Sequence, residues 1–156
     1  MPKPTEFHVV AITAIVFKND KVLIIKRSPK EIAYPSKWSV PGGKLDVNDY
    51  KSLPKDKLDG WHNVIEYTLK REVAEETGLK VKNIGYLMNS TFIRPDGHPV
   101  LVLVNICDWA RGEVKLSQDF TDYAWVTGQE LKKYDIIDGA KNEIKEAFKI
   151  RRQNAR

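Results

Sequence analysis

The chain has 156 residues, of which 42% are hydrophobic and 30% charged, a balance that predicts one soluble domain (residues 1–156) with a single core. No run approaches the ~18 apolar residues of a membrane span and the start lacks an apolar leader, so we expect a cytoplasmic protein with no membrane partner. The net charge of +5 leaves a nucleic-acid partner open. The single cysteine, Cys107, lies in an apolar run, which excludes an intramolecular disulfide and favours a buried thiol.

The first predicted elements are two strands. His8–Phe17 and Lys21–Lys26 are rich in β-branched and apolar residues, and Asn19-Asp20 between them predicts a hairpin. Lys26 and Arg27 follow, either as ordinary edge charges or as contacts for an anionic ligand. Trp38 then leads toward a diglycine.

The diglycine Gly42-Gly43 precedes a long polar segment. Without Cβ atoms, its backbone can turn tightly or approach a ligand closely. Asp46–Gly60 contains several residues that disfavour regular structure, and it predicts a surface loop that either borders a ligand or decorates the surface.

The predicted helix that follows carries the densest chemistry in the chain. Asn63 and Glu66 predict a capping box at its start, and Gly78 predicts its end. Glu72, Glu75 and Glu76 stand at i, i+3 and i+4, which places three carboxylates on one helix face.

Two interpretations of that face are open. It is either a solvated surface with an Arg71–Glu75 ion pair or a site for a hard divalent cation, whose preferred ligands are carboxylate oxygens. Glu76 falls within an apolar stripe, and a buried carboxylate needs a partner. The stripe is formed by Ile65, Leu69 and Val73.

The remaining elements complete an α/β pattern. The nearly continuous apolar run Val100–Ile106 predicts a central strand. The predicted elements are strands at Val81–Ile93, Pro99–Trp109 and Asp122–Val126, a helical turn at Gln129–Tyr134 and a helix at Asp138–Arg152.

The C-terminal helix ends with a basic group. Such a group is more typical of a solvated helix end, where cations complement the helix dipole, than of a nucleic-acid-binding arm. Its members are Lys149, Arg151, Arg152 and Arg156.

Two segments together resemble the Nudix box of the Nudix hydrolases. They are Pro41-Gly42-Gly43-Lys44 and Arg71-Glu72-Val73-Ala74-Glu75-Glu76-Thr77-Gly78-Leu79. The family pattern is G-x5-E-x7-R-E-U-x-E-E-x-G-U, where U is aliphatic, and every fixed position of its second half matches. Similarity to the family continues in the strands on both sides of the box.

The first half of the box departs from the family pattern. Gly43 and Arg71 are 28 positions apart, whereas the family has 14, so we expect an insertion at about residues 46–60. Counting back from Arg71 places Asn63 where the family has its first Glu. We expect a substitute among Glu66 and the aspartates of the insertion, which are Asp46, Asp49, Asp56 and Asp59.

The resemblance implies an α/β/α sandwich with a mixed central sheet. It also implies a metal-dependent pyrophosphohydrolase that cleaves a diphosphate linkage in a nucleoside triphosphate or another nucleoside diphosphate derivative, with capped or triphosphorylated RNA and a homodimer left open. Catalysis would fall to Glu72, Glu75 and Glu76, which with Gly42 would hold Mg²⁺ or, in its place, Mn²⁺. The implied substrate contacts are Arg27, Lys26 and Trp38, and Asp119 and Asp122 are further candidate acids. The alternatives are a catalytically silent nucleotide-binding module and an RNA-binding module.

Overall fold

A computed structural model describes residues 3–56 and 59–155, which form seven strands and two α-helices. The elements are β1 (Val9–Lys18), β2 (Lys21–Arg27), β3 (Trp38–Ser39), β4 (Gly42–Lys44), α1 (Val64–Thr77), β5 (Lys80–Ile93), β6 (Pro99–Arg111), β7 (Phe120–Val126) and α2 (Asp138–Asn154). Short 3-10 helices lie at Pro4–Glu6, Val47–Asp49 and Glu130–Lys133. Among the described residues, no helix is both long and apolar enough to span a bilayer.

The strands form one mixed sheet. Its main path is β3-β2-β1-β6-β5, while β4 pairs with β1 and β7 pairs with β2. The β1–β6 pairing is parallel, and the pairings of β2 with β1, β3 and β7 are antiparallel. β6 lies between β1 and β5, which confirms the central strand predicted from the apolar run Val100–Ile106.

The predicted hairpin is confirmed, but its strands separate soon after the turn. β1 and β2 pair only at Phe17 with Val22 and at Lys18 with Lys21. Beyond these pairs, β4 takes the free edge of β1 and β3 takes that of β2. The separation therefore brings the diglycine at the start of β4 against the middle of β1.

Alternation along the strands builds two cores, one on each face of the sheet, and confirms the predicted sandwich. α2 covers one face and α1 the other. The α2 core includes Ile15, Phe17, Val22, Ile24, Ala140, Ile144, Ala147 and Phe148. The α1 core includes Ile12, Ala14, Leu23, Ile25, Leu69, Val73 and the buried Cys107.

The two ends of α1 are built differently. Gly78 ends the helix at φ 74°, and its N–H donates to the Ala74 carbonyl, so the predicted glycine stop is confirmed. Asn63 precedes the helix as predicted, but its side chain makes no capping hydrogen bond. The predicted capping box is therefore wrong, because Asn63 adopts a left-handed φ of 58° rather than the extended backbone typical of a capping residue.

Candidate active site

The carboxylates of α1 lie against the diglycine of β4. The Gly42 N–H donates to Glu76 Oε2 at 3.1 Å. A Cβ atom on Gly43 would lie only 2.2 Å from Glu72 Cδ, so the Glu72 carboxyl occupies the space that a side chain at Gly43 would fill. The two segments identified in the sequence are thus adjacent in the fold.

Arg71 connects three carboxylates beside this contact. Its guanidinium donates to Asp49 Oδ1 at 2.7 Å, Glu72 Oε1 at 3.1 Å and Glu75 Oε2 at 3.0 Å. The predicted Arg71–Glu75 ion pair is confirmed. The Glu75 side chain is 60% exposed and that of Asp49 only 11%, so Asp49 is the more enclosed partner.

A small turn places Asp49. The Asn48 N–H donates to Asp46 Oδ1 at 2.8 Å, and the Asp46 N–H donates to Asp49 Oδ2 at 3.0 Å, which closes the 3-10 helix Val47–Asp49 as a reciprocal cap. The other oxygen of Asp49 is left for Arg71.

The backward count from Arg71 failed to identify Asp49. Counting forward from Gly43, with five residues between, reaches Asp49 at the position of the first box Glu. Among the other expected substitutes, Asp46 closes the turn that holds Asp49, and Glu66 is exposed in the first turn of α1. The proposed insertion also contains residues 57–58, which lie outside the described part of the chain.

The site holds carboxylates in an unfavourable environment. Burial raises the pKa of Glu76 to about 8, and the charges of Glu72 and Asp119 act in the same direction, against the Gly42 N–H and Arg27. Burial also raises the pKa of Glu72, assisted by the charges of Glu75 and Asp49 and opposed by Arg71. Both carboxylates would therefore be stabilised by an added positive charge.

The predicted substrate residues separate onto two faces of the sheet. Arg27 is close enough to Glu76 to influence its pKa, and its guanidinium is held by the Ala33 carbonyl at 2.8 Å and by Glu31 at 3.1 Å. Lys26 follows the alternation of Ile24 toward the α2 face, whereas Arg27 follows that of Ile25 toward the α1 face.

Trp38 also packs on the α2 face rather than beside the glutamates. Its ring meets the Tyr134 ring edge-on, with the centroids 4.9 Å apart, and contacts the α2 core. Its role in substrate binding stays a prediction.

The segment before β7 brings another acid toward the site. The Ser117 N–H donates to the Glu76 carbonyl at 3.0 Å, and the Ser28 N–H donates to the Asp119 carbonyl at 2.8 Å. These bonds join the end of α1, the end of β2 and the start of β7. The charge of Asp119 is near enough to Glu76 to raise its pKa, whereas Asp122 pairs with Lys26 in the sheet, and both aspartates are exposed.

The carboxylate oxygens of this site are the chemical type of ligand that binds a hard divalent cation. Within residues 3–56 and 59–155, no three acidic, His or Cys side chains converge as a ready-made cation cage, because Glu75 is turned toward Arg71. Glu72 and Glu76 nevertheless offer carboxylate oxygens at the same place, one of them largely desolvated beside a like charge. Such oxygens are the ligands that Mg²⁺ prefers.

The raised pKa of Glu76 predicts a pH-dependent stability. The folded protein keeps this proton up to about pH 8, whereas the unfolded chain loses it near pH 4.5. In EDTA, the Glu76 contribution to the free energy of unfolding should thus fall by roughly 3 kcal/mol from about pH 5 to about pH 8. Urea unfolding of wild type and Glu76→Gln from about pH 5 to about pH 8 measures this contribution as the difference between their free energies of unfolding. A difference that does not change with pH would contradict the prediction.

Sequence comparisons agree with the geometry. A family model described as the NUDIX domain matches residues 7–148. Nucleoside triphosphatase NudI of Klebsiella pneumoniae subsp. pneumoniae is 27% identical, with 83% of this chain and 89% of that protein covered. The protein of the same name from Escherichia coli K12 is 29% identical, with 80% and 86% covered.

Solved structures show the same fold. The MutT NUDIX hydrolase from Burkholderia pseudomallei has a TM-score of 0.69 at 20% identity, covering 90% of this chain and 98% of that one. The NUDIX domain of Shewanella oneidensis NrtR, complexed with ADP ribose, has a TM-score of 0.70 at 17% identity, covering 99% and 94%. Since the family model spans most of the sequence, the chain belongs to the Nudix family, as a hydrolase acting on phosphorus anhydrides.

Proposed function

We propose that the chain is a divalent-metal-dependent pyrophosphohydrolase that cleaves a diphosphate linkage in a nucleoside triphosphate. One observation carries the proposal: two partly buried carboxylates, Glu72 and Glu76, lie against the Gly42-Gly43 backbone beside a fixed guanidinium, Arg71. The relatives named as nucleoside triphosphatases support this substrate class over other nucleoside diphosphate derivatives.

The glutamates of α1 would hold the cation. Glu72 and Glu76 are the inner pair, and Glu75 and the Gly42 carbonyl would be further oxygen donors for Mg²⁺ or Mn²⁺. When bound, the cation would neutralise phosphate charge and the charge that develops on the leaving oxygen.

Other side chains would prepare the reaction. Arg27 places a positive charge near Glu76 and would face the substrate phosphates. The alternative role of Glu72, as a base instead of a ligand, is to take a proton from the attacking water. The products would be a nucleotide and phosphate or pyrophosphate.

We further propose that residues 1–156 form one Nudix domain with its insertion between Asp49 and Arg71. This segment packs on itself: the Tyr50 and Trp61 rings lie 5.2 Å apart, and Trp61 Nε1 donates to the Leu53 carbonyl at 2.9 Å. The Asp49–Arg71 contact makes the insertion a border of the site. The silent-module alternative rests on Asn63 and on the long insertion, and the Asp49–Arg71 contact supports the enzyme over it.

Asp49 should act as a positioning residue through Arg71. We expect Asp49→Asn to lower kcat/KM about tenfold, because a weaker neutral acceptor would let Arg71 and hence Glu72 move. Asp49→Glu should keep most of the activity. Steady-state kinetics of these variants and of Asn63→Glu would test whether position 49, by the forward count from Gly43, or position 63, by the backward count from Arg71, corresponds to the first Glu of the box. A gain of activity in Asn63→Glu, with no loss in Asp49→Asn, would favour the backward count.

The proposed function is tested by a substrate panel. Nucleoside triphosphates, nucleotide sugars, dinucleoside polyphosphates and triphosphorylated RNA would be incubated with Mg²⁺, Mn²⁺ or EDTA, and phosphate and pyrophosphate release would be measured. We expect metal-dependent turnover, fastest with a nucleoside triphosphate. Tight nucleotide binding without turnover across the panel would instead establish a silent module.

A further inference from the structure

A second cleft lies at the far end of β2 from the glutamates. Its volume is about 540 Å³. It is lined by Asp20, Thr127, Gly128, Gln129, Lys145, Phe148 and Arg152. Asp20 precedes β2, whereas Arg27 ends it near Glu76, so the seven-residue strand separates the two sites by roughly 20 Å.

Two cations of this cleft form no ion pair with any carboxylate of residues 3–56 and 59–155. Lys145 and Arg152 stand at i and i+7 on one face of α2, with Phe148 between them. In the described part of the chain, neither forms an ion pair, whereas the adjacent Arg151 binds Asp108 Oδ1 at 2.9 Å and stacks on the Phe17 ring. Arg151 therefore serves the fold, and the charges of Lys145 and Arg152 are left for another anion.

The walls of the cleft are preformed. The N–H and Oγ1 of Thr127 both donate to Glu130 Oε2, at 2.8 and 3.1 Å, which fixes the turn after β7. A Cβ atom on Gly128 would lie 3.6 Å from Phe148, so the turn rests on this ring. The Phe148 ring is itself held edge-on against Phe17.

The spacing of the cations indicates the ligand class. Two residues seven apart on a helix have Cα atoms about 10.5 Å apart along its axis. This separation is too large for the two phosphates of a diphosphate, which share a bridging oxygen, and suits phosphates that are spaced along a nucleic-acid strand. Asp20 would repel a bare anion but can accept a hydrogen bond from a hydroxyl or amino group, and Gln129 can donate and accept.

We propose that this cleft is a second nucleotide-binding site, in which Lys145 and Arg152 bind consecutive phosphates and Asp20 and Gln129 bind the attached nucleoside. The ligand is a stretch of single-stranded RNA, whose phosphates are spaced far enough apart to contact both cations. The site goes beyond the proposed hydrolysis and does not depend on it.

The test uses the full chain in EDTA, so that divalent cations do not support binding at the glutamates. Fluorescence anisotropy would follow a labelled 12-nucleotide RNA with a 5′-hydroxyl end, and ADP would be added as a competitor. We expect binding that weakens with salt. ADP should fail to displace the RNA; displacement by ADP would show that the cleft takes single nucleotides rather than a strand and would overturn the proposal.

Charge variants locate the binding. Lys145→Glu with Arg152→Glu should weaken RNA binding at least thirtyfold, and the corresponding glutamine pair about tenfold. Lys80→Glu with Arg111→Glu makes the same change of net charge at another exposed Lys/Arg pair and should weaken it less than threefold. Substrate turnover should be unchanged in every pair. Equal losses in the two glutamate pairs, or no binding of the RNA at millimolar concentration, would overturn the proposal.

Discussion

Replacing Glu76 with glutamine should lower turnover on the order of a thousandfold at saturating Mg²⁺, equivalent to about 4 kcal/mol in activation free energy. A bound cation would displace the Glu76 proton and be neutralised by the resulting carboxylate, whereas glutamine cannot offset the charge of a divalent cation. The amide oxygen can still accept the Gly42 N–H, which Glu76 now receives at 3.1 Å. The fold should therefore survive the change.

The measurement is kcat/KM beside thermal unfolding with and without Mg²⁺. We expect wild type to gain stability from Mg²⁺ and the variant to gain little. Glu66→Gln removes a charge from the same helix at an exposed position and should change neither quantity. If Glu76→Gln retained more than about a tenth of the wild-type turnover, Glu76 would have no essential part in the reaction.

Adding a methyl group at Gly43 should lower activity about a hundredfold without unfolding the protein. The new Cβ would lie 2.2 to 2.6 Å from the carboxyl atoms of Glu72, so this carboxylate must move. It is the end of a flexible side chain, and displacements of about 1 Å at a reacting group can cost this much in rate. The expected result for Gly43→Ala is a large loss of kcat/KM with nearly unchanged thermal stability.

Substitutions at Gly42 and Gly85 test whether the effect of Gly43→Ala comes from moving the Glu72 carboxylate or from adding a methyl group to a glycine. At Gly42 a Cβ would lie 2.4 Å from the backbone oxygen of Ile12, so Gly42→Ala should destabilise the fold by about 1–3 kcal/mol. A Cβ added at Gly85 would have no described atom beyond its chain neighbours within 4 Å, so Gly85→Ala should leave both stability and activity intact. Wild-type activity in Gly43→Ala would mean that the position of Glu72 does not matter for the reaction.

Local patterns predicted the parts of the site that lie on one element. The positions of Leu69 and Val73 placed Glu76 on the inward side of α1, and its bond to Gly42 is consistent with that. Asn19-Asp20 and Gly78 marked a turn and a helix end because each requires or tolerates left-handed backbone. Such signals depend on neighbours within one or two helical turns.

The same local patterns did not predict the contacts between elements. The pairing of Asp49 with Arg71 depends on how an insertion returns to the helix, and that return also gives Asn63 the backbone that prevents capping. The adjacent residues Lys26 and Arg27 have similar chemistry, and alternation with Ile24 and Ile25 places them on opposite faces, so that Arg27 lies near Glu76. The forward count from Gly43 and the strand alternation are both sequence signals, but neither shows which element packs against which face.

The parallel pairing of β1 with β6 has a consequence for folding. It joins Val9 with Val100 and continues to Phe17 with Asp108, so the sheet cannot close until segments about 90 residues apart meet. The insertion lies wholly inside this loop. Lengthening a loop of about 77 residues by about 14 adds only ~0.15 kcal/mol of closure entropy. Variants with longer or shorter insertions should therefore fold at nearly the wild-type rate, which leaves this segment free to diverge in length while the sheet stays the same.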